Sequence, residues 1–344
     1  MVYTLKELVN IKYGKNQKNV ENSNGKYPIY GTGGLMSYAD KYLYDKPSVL
    51  IGRKGSIGKV RFSDKPFWTV DTLFYTEVNE DIVIPKYLYY KMLTIDMSEY
   101  NEGTTIPSLR TDTLYRIELD IPNKEIQKRV IKVLDYLEKK MKTNNEINNN
   151  LYEEAIALYK NKFKGIDQDK KIIGDYIVPK RGKNLLTRDA IDGDTPVVAG
   201  GIEPSAYHNQ FNTKSPVITI SASGANAGYI NLWNIPVWAS DCSYIDDSIT
   251  KNVYFWYIVL KTRQNEIFDA QTGSAQPHIY PQHIAEMSIS ELNIDEVEKY
   301  NNLVTPLFKM IGKNQKENKK LSQLRDTLLP KLMNGEINLD NIEI

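Results

Sequence analysis

The stretch VIKVLDYLEKKMKTNNEINNNLYEEAIAL, Val130 to Leu158, decides the fold. Its apolar residues fall at Val130, Leu134, Leu137 and Met141, then at Leu151, Ala155 and Leu158. Steps of four and three residues trace the seam of a coiled coil. In the middle, the seam positions are taken by Asn144 and Asn148. A second seam runs through Tyr300, Val304, Leu307, Ile311, Asn314, Asn318, Leu321, Leu328 and Leu332. Arg325 interrupts it, and the neighbouring Leu324 is expected to share the seam there. Pro306 lacks the donor its helical turn needs, so it is expected to kink this helix or start it afresh. The pattern predicts helices from Asn123 to about Lys164 and from Ile294 to about Met333. Each holds about 40 residues and is therefore ~60 Å long.

The two asparagine pairs share one offset of 170 residues (314 − 144 and 318 − 148). The same offset links Trp68 with Trp238, Asp71 with Asp241, Gly103 with Gly273 and Pro107 with Pro277. Slightly smaller offsets link Gly14-Lys15 with Gly182-Lys183, Pro28 with Pro196, Gly33 with Gly201 and Gly55 with Gly224. A repeat this long is a duplicated domain, since solenoid repeats run about 20–50 residues. Strand-like runs Ser48–Ile51, Val60–Phe62 and Leu73–Tyr75 precede a short helix at Pro85–Leu93, and Ser215–Ile220 and Tyr254–Tyr257 repeat the plan. The fold class is α+β: two repeated mixed α/β globules separated by two long coiled-coil helices. The expected boundaries are residues 1–122, 123–165 (first helix), 166–293, and 294–344 (second helix and tail). If each globule's termini lie close together, the helices return antiparallel and the repeats are related by a pseudo-two-fold. The asparagines should then meet near that axis, fixing register at some cost in stability. The competing expectation is an ordinary dimerisation hairpin with solvent-facing asparagines.

Composition narrows the function classes. The chain has 344 residues, 41% of them hydrophobic, enough for two cores. A net charge of +1 means that any basic surface is local. The single cysteine, Cys242, excludes an internal disulfide framework and points to a reducing compartment. The N-terminus lacks the apolar core of a signal peptide, and no run reaches the ~18 apolar residues of a membrane span.

Several motifs fail on inspection. Gly52-Arg-Lys-Gly-Ser-Ile-Gly58-Lys59 resembles a phosphate-binding loop, but its first Gly is one position early and Val60 stands where Ser or Thr must bind metal. Gly31-Thr-Gly33-Gly34-Leu-Met36 lacks the third Gly of a dinucleotide fingerprint. His208, His278 and His283 have no carboxylate or Cys at metal-ligand spacing, so structural roles are expected and no metal site. The repeated Trp-x-x-Asp stretches, Trp68 to Asp71 and Trp238 to Asp241, are expected to hold each globule together. No catalytic constellation emerges. What repeats is a set of polar, basic loops framed alike by Gly and Pro, with different residues between. The first half offers Lys15, Arg53, Lys54, Ser56 and Lys59, then Thr104, Thr105, Ser108 and Arg110. The second offers Lys183, Ser221, Ser223 and Asn226, then Ser274, Gln276 and His278. Arg reads guanine through two donors, Asn and Gln read adenine, and Ser and Thr serve either base. Lys and Arg around them would contact phosphate. Arg110, closing the Gly103–Arg110 loop, is expected on a base edge. Arg53, in a basic run with Lys54 and Lys59, is expected on phosphate.

Two stretches carry a family resemblance. IPNKEIQKRVIKVL, residues 121–134, is similar to the start of the first conserved helix of type I restriction–modification specificity subunits. LSQLRDTLLPKLMNGEI, residues 321–337, is similar to that family's C-terminal signature. With the two alternating globules and helices, the resemblance covers essentially the whole chain. It implies two target-recognition domains, each binding one half of a split double-stranded DNA site, with the helices as a ruler. It implies no active site or cofactor of the chain's own. S-adenosylmethionine would be bound by two partner modification subunits, and restriction/motor subunits would complete a cytoplasmic complex in a bacterium or archaeon. The differing loop tips favour an asymmetric site. Two other classes remain: a stand-alone DNA-modifying enzyme, which would bind S-adenosylmethionine or metal alone, and a coiled-coil assembly scaffold, which would show no salt-dependent DNA binding.

Overall fold

The computed structural model describes residues 1–165, 171–273 and 276–337. It falls into two compact units: Met1–Lys140 with the chain from Lys320 on, and Met141–Lys319. Each long helix, Lys124–Lys162 and Ile294–Met333, contributes one part to each unit.

Both units carry the same strand order. In the first, a four-stranded antiparallel sheet runs Val9–Tyr13, Leu73–Val78, Ser48–Gly52, Val60–Ser63. A three-stranded sheet runs Gly34–Ala39, Tyr27–Gly31, Trp68–Thr69, its last pair parallel. In the second, the four strands are Lys180–Arg181, Cys242–Asp246, Val217–Ser221 and Ile230–Trp233. The three are Ala206–His208, Thr195–Val198 and Trp238–Ala239. In each unit a two-stranded pair, Val2–Thr4 with Glu118–Asp120 or Lys171–Ile172 with Ser288–Ile289, brings the ends of the globule together.

The central strand Ser48–Gly52 is buried throughout because both of its faces are covered. Successive side chains alternate faces in a strand. Val49 and Ile51 join the main core with Phe74, Tyr87, Leu88 and Tyr90, the last three from the helix Pro85–Met92. Leu50 turns the other way, onto Phe67, Leu73 and Tyr75. Ile218 and Ile220 repeat the first role in unit two, and Val217, against Cys242, the second.

The long helices start alike. Asn123 Oδ1 accepts from the Ile126 N–H at 3.0 Å, and Asn293 Oδ1 from the Glu296 N–H at 3.2 Å. Each side-chain oxygen satisfies one of the orphan donors of a first turn. Within the second unit the helices run antiparallel. Lys162 pairs with Glu296 at 2.5 Å, and the Tyr300 hydroxyl donates to the Ala155 carbonyl at 2.9 Å. Further along, Asn314 Nδ2 donates to Asn148 Oδ1 and Asn144 Nδ2 to Asn318 Oδ1, both at 2.8 Å. Asn144 also donates to Glu317 at 2.8 Å, and Asn318 Nδ2 to Asn145 Oδ1 at 2.8 Å. Asn144 and Asn314 are buried, so the asparagines do not face solvent as a plain hairpin would have them. In the first unit, Leu328, Leu329, Leu332 and Met333 of the second helix pack into the core that holds Val130 and Leu134 of the first. There the buried Lys91 ammonium donates to the Met333 carbonyl at 2.9 Å, a cation on the carbonyl end of a helix. Burial lowers the Lys91 pKa.

Three details of the seam depart from the sequence pattern. The second helix is one element through Pro306 and does not start afresh there. The carbonyl that proline deprives of a donor belongs to the solvent-exposed Asn302, where water can replace it. Leu324 is exposed and Arg325 is half-buried, so Leu324 does not take over the seam. Leu158 is only half-buried, and Tyr159 fills the seam instead, its ring 6.1 Å from Tyr300 and 6.2 Å from Phe255. Phe308, stacked on Tyr254 with centroids 4.7 Å apart, joins them.

The amide ladder makes a measurable demand. Asn148→Ala and Asn314→Ala should each destabilise unfolding in urea, and the double variant should lose less than the sum, with a coupling of about 0.5–3 kcal/mol. Strict additivity would mean that the two amides do not interact.

Candidate nucleic-acid interface

The candidate loops of each globule are tied together by the main chain. In unit one the Gly55 N–H donates to the Pro107 carbonyl at 2.9 Å, and the Leu109 N–H to the Arg53 carbonyl at 2.9 Å. In unit two Gly224 donates to Pro277 at 3.0 Å, and Ile279 to Ala222 at 3.0 Å. The repeated glycines have backbone reasons. Gly55 and Gly224 sit at φ +77° and +80°, where only glycine is free of strain. A Cβ on Gly103 would lie 1.9 Å from the Ile106 carbonyl oxygen, and one on Gly273 2.5 Å from that of Gln276. At Gly14 and Gly182 it would lie 2.0 Å from the Val70 oxygen and 2.4 Å from the Ser240 oxygen. Those close approaches seat the tryptophans: Trp68 Nε1 donates to the Lys15 carbonyl and Trp238 Nε1 to the Lys183 carbonyl, both at 2.9 Å. The ammonium-bearing ends of Lys15 and Lys183 are left at the exposed rim.

In unit one Lys54, Ser56, Lys59, Thr104, Thr105 and Arg110 are exposed, and Ser108, half-buried, bridges to Lys54. Asn101 Oδ1 shapes the second loop by accepting from the Gly103 and Ser108 N–H groups at 3.0 and 2.9 Å. Arg110 pairs with Glu102 at 3.1 Å while its side chain stays 73% exposed, so it is aimed but not covered. Arg53 is more constrained than a loose phosphate contact requires: Nη1 donates to the Asp71 carbonyl at 2.8 Å and the guanidinium lies 5.1 Å from the Tyr13 ring centre.

Unit two differs. Ser221 is buried in the sheet, its hydroxyl donating to the Gly200 carbonyl at 2.9 Å, and so is not on the surface as expected. Ser223 donates to Asp241 Oδ2, and Asn226 is half-buried. Gln276 is exposed, and the His278 ring stacks on Tyr280 with centroids 6.0 Å apart. Ser274 lies outside the described residues. Arg181, absent from the sequence-derived set, donates to Asp241 Oδ1 at 2.5 Å. It directly precedes Gly182-Lys183, as Tyr13 precedes Gly14-Lys15, and that alignment was its available signal. Arg61 was also missed; its Nη2 donates to the Gly33 carbonyl at 2.8 Å.

His208 and the thiol are structural. His208 Nδ1 accepts from the Ile191 N–H at 3.0 Å, and its ring meets Trp238 edge-on at 5.1 Å. Burial pushes the Cys242 thiol up to about 12. Among the described residues no three His, Cys, Asp or Glu converge as a metal site, and no helix is long and apolar enough to cross a membrane.

One sheet frame is thus used twice with different tips, and each unit includes part of both long helices. Residues 1–153 match the family described as the type I restriction modification DNA specificity domain. The chain is 27% identical over 345 residues to the type I restriction enzyme MjaIX specificity subunit of Methanocaldococcus jannaschii, covering 87% of this chain and 80% of that one. It is 24% identical over 358 residues to a putative type I specificity subunit of Mycoplasma genitalium, covering 96% and 92%. It shares the fold of a crystal structure of the type I restriction–modification S subunit from M. genitalium, with a TM-score of 0.65 at 22% identity over 96% of this chain and 95% of that one. The chain is thus similar over most of its length to type I restriction enzyme specificity subunits, and its first 153 residues match that family's DNA specificity domain.

Gly55→Ala and Gly224→Ala should each destabilise by about 1–2 kcal/mol, the cost of a left-handed backbone with a Cβ, and Asn should cost less than Ala. Nothing lies within 4 Å of either added Cβ, so equal losses for Ala and Asn in denaturant titrations would count against backbone strain.

Proposed function

We propose that each globule reads one half of a split, asymmetric DNA site and that the paired helices set the unread spacer between the halves. The reading rests most on one observation: identical main-chain bonds frame the loops of both units while the residues at their tips differ. A fixed frame with variable tips is what two readers of different sequences need. Lys15, Lys54, Lys59 and Lys183 supply the salt-dependent phosphate term, and polar tips such as Arg110 and Gln276 supply base discrimination. The major groove presents the same face every ~34–36 Å, so half-sites about one turn apart suit helices of this length. The chain works as a specificity subunit without chemistry or cofactor of its own. It recruits two modification subunits that bind S-adenosylmethionine, and restriction/motor subunits join them in the cytoplasm of a bacterial or archaeal cell.

The direct test exchanges residues 1–122 for the first globule of another family member. The methylated motif of the assembled complex should change in one half only. A change in both halves, or in the spacer instead, defeats the modular reading.

Arg110→Ala separates two kinds of contact. On a base edge, it should relax one position of the first half-site by about 1–3 kcal/mol. On phosphate, it should weaken all sequences evenly and lower the salt slope by about one. Affinity for single-base variants at two salt concentrations tells them apart, and no effect of either kind removes this loop from the DNA surface.

A further inference from the structure

The two Trp-x-x-Asp stretches hold their tryptophans alike and their aspartates differently. In unit two the Asp241 carboxylate is fully engaged, Oδ1 by Arg181 at 2.5 Å and Oδ2 by the Ser223 hydroxyl. The backbone closes in beside it: a Cβ on Gly200 would stand 2.7 Å from the Ser223 carbonyl oxygen. In unit one the corresponding positions are Tyr13 for Arg181, Lys54 for Ser223 and Thr32 for Gly200. None of these engages Asp71. Its carboxylate is exposed and has neither hydrogen-bond donor nor ion-pair partner among the described residues. It stands at the wall of an open cleft lined by Gln17, Thr32, Met36 and Thr72. The Thr72 carbonyl, in turn, accepts from the main-chain N–H groups of Arg53 and Lys54 at 2.9 and 3.3 Å, so the cleft borders the first loop.

Resting on the DNA-reading function above, we propose that Asp71 is a specificity-determining residue of the first globule that accepts from the exocyclic amine of cytosine, while Arg53 donates to the paired guanine. A bare carboxylate beside Arg53 and Lys54 repels phosphate, so it weakens any purely electrostatic grip on the backbone. The groups in the major groove that can donate to it are the N4 amine of cytosine and the N6 amine of adenine. Arg53 selects between them. Its guanidinium is held by the carbonyl of Asp71 itself and by the Tyr13 ring, leaving further N–H groups for the O6 and N7 acceptors of guanine. A fixed donor fork next to a free acceptor matches the acceptor–acceptor–donor edge of one G·C pair. Unit two has spent both halves of this device on each other, through Arg181 and Asp241, and reads with other groups.

The test uses the full chain assembled with its modification subunits and maps the methylated motif on a randomised DNA library. Asp71→Ala should make one position of the first half-site degenerate, lowering discrimination there by on the order of tenfold to a hundredfold, with the second half-site unchanged. Asp71→Asn should shift that position toward adenine, because a carboxamide pairs with N6 and N7. Thermal unfolding should be unaltered in both, since the carboxylate holds nothing in the fold. An unchanged motif in both variants overturns the assignment. So does a uniform change in affinity at every position, which would make Asp71 only a charge. A wild-type complex with no bipartite motif would instead remove the reading on which the inference rests, and the residue assignment with it.

Discussion

A buried carboxamide has to find a partner, and Asn144 and Asn314 find theirs only on the opposite helix. Leaving such a group unsatisfied costs about 1–3 kcal/mol, whereas sliding one apolar residue past another costs much less. An apolar seam alone would tolerate a shift by a turn. The bonds from Asn144 to Asn318 and from Asn314 to Asn148 exist at one register only. Asn145, one position off the seam, completes the ladder by accepting from Asn318. If the helices set the spacer as proposed, register is the quantity that has to be fixed.

The globules obey a comparable division between what is fixed and what varies. Gly14 and Gly182 let two chain segments touch, and the tryptophan indoles lock that crossing through a carbonyl. The loop frames are main-chain bonds, indifferent to side-chain identity. Substitution at a tip therefore alters chemistry without loosening the frame. Ser221 marks the inner limit of this freedom, because its hydroxyl is already consumed inside the sheet.

Much of this was legible in the sequence because it is periodic or repeated. The helical seam and the 170-residue offset need only spacing to be seen, and the glycine pairs announce backbone constraints. What escaped depends on side-chain reach and on partners distant along the chain. Tyr159 and Phe308 enter the seam because aromatic rings span more than one position, which a pattern of small apolar residues does not reveal. Pro306 reads as a break, yet the carbonyl it orphans belongs to an exposed residue, Asn302. Arg181 and Asp241 are 60 residues apart, and nothing local in either stretch indicates the pair. The open state of Asp71 is a difference between two identical-looking motifs, visible only once their surroundings are.

The two units also differ in how the chain supplies them. The second is built from one uninterrupted segment, Met141–Lys319, whereas the first joins Met1–Lys140 to residues from Lys320 on. During synthesis the globule that begins first is therefore completed last. Until Leu328, Leu332 and Met333 arrive, its core lacks the apolar side chains that pack there, and Lys91 lacks its carbonyl partner. The later globule, by contrast, has all its own strands and both of its helical stretches as soon as residue 319 has emerged. Domains usually mature in the order they leave the ribosome. Here the chain's connectivity works against that order, because the last side chains of the first globule's core are made only after the whole of the second.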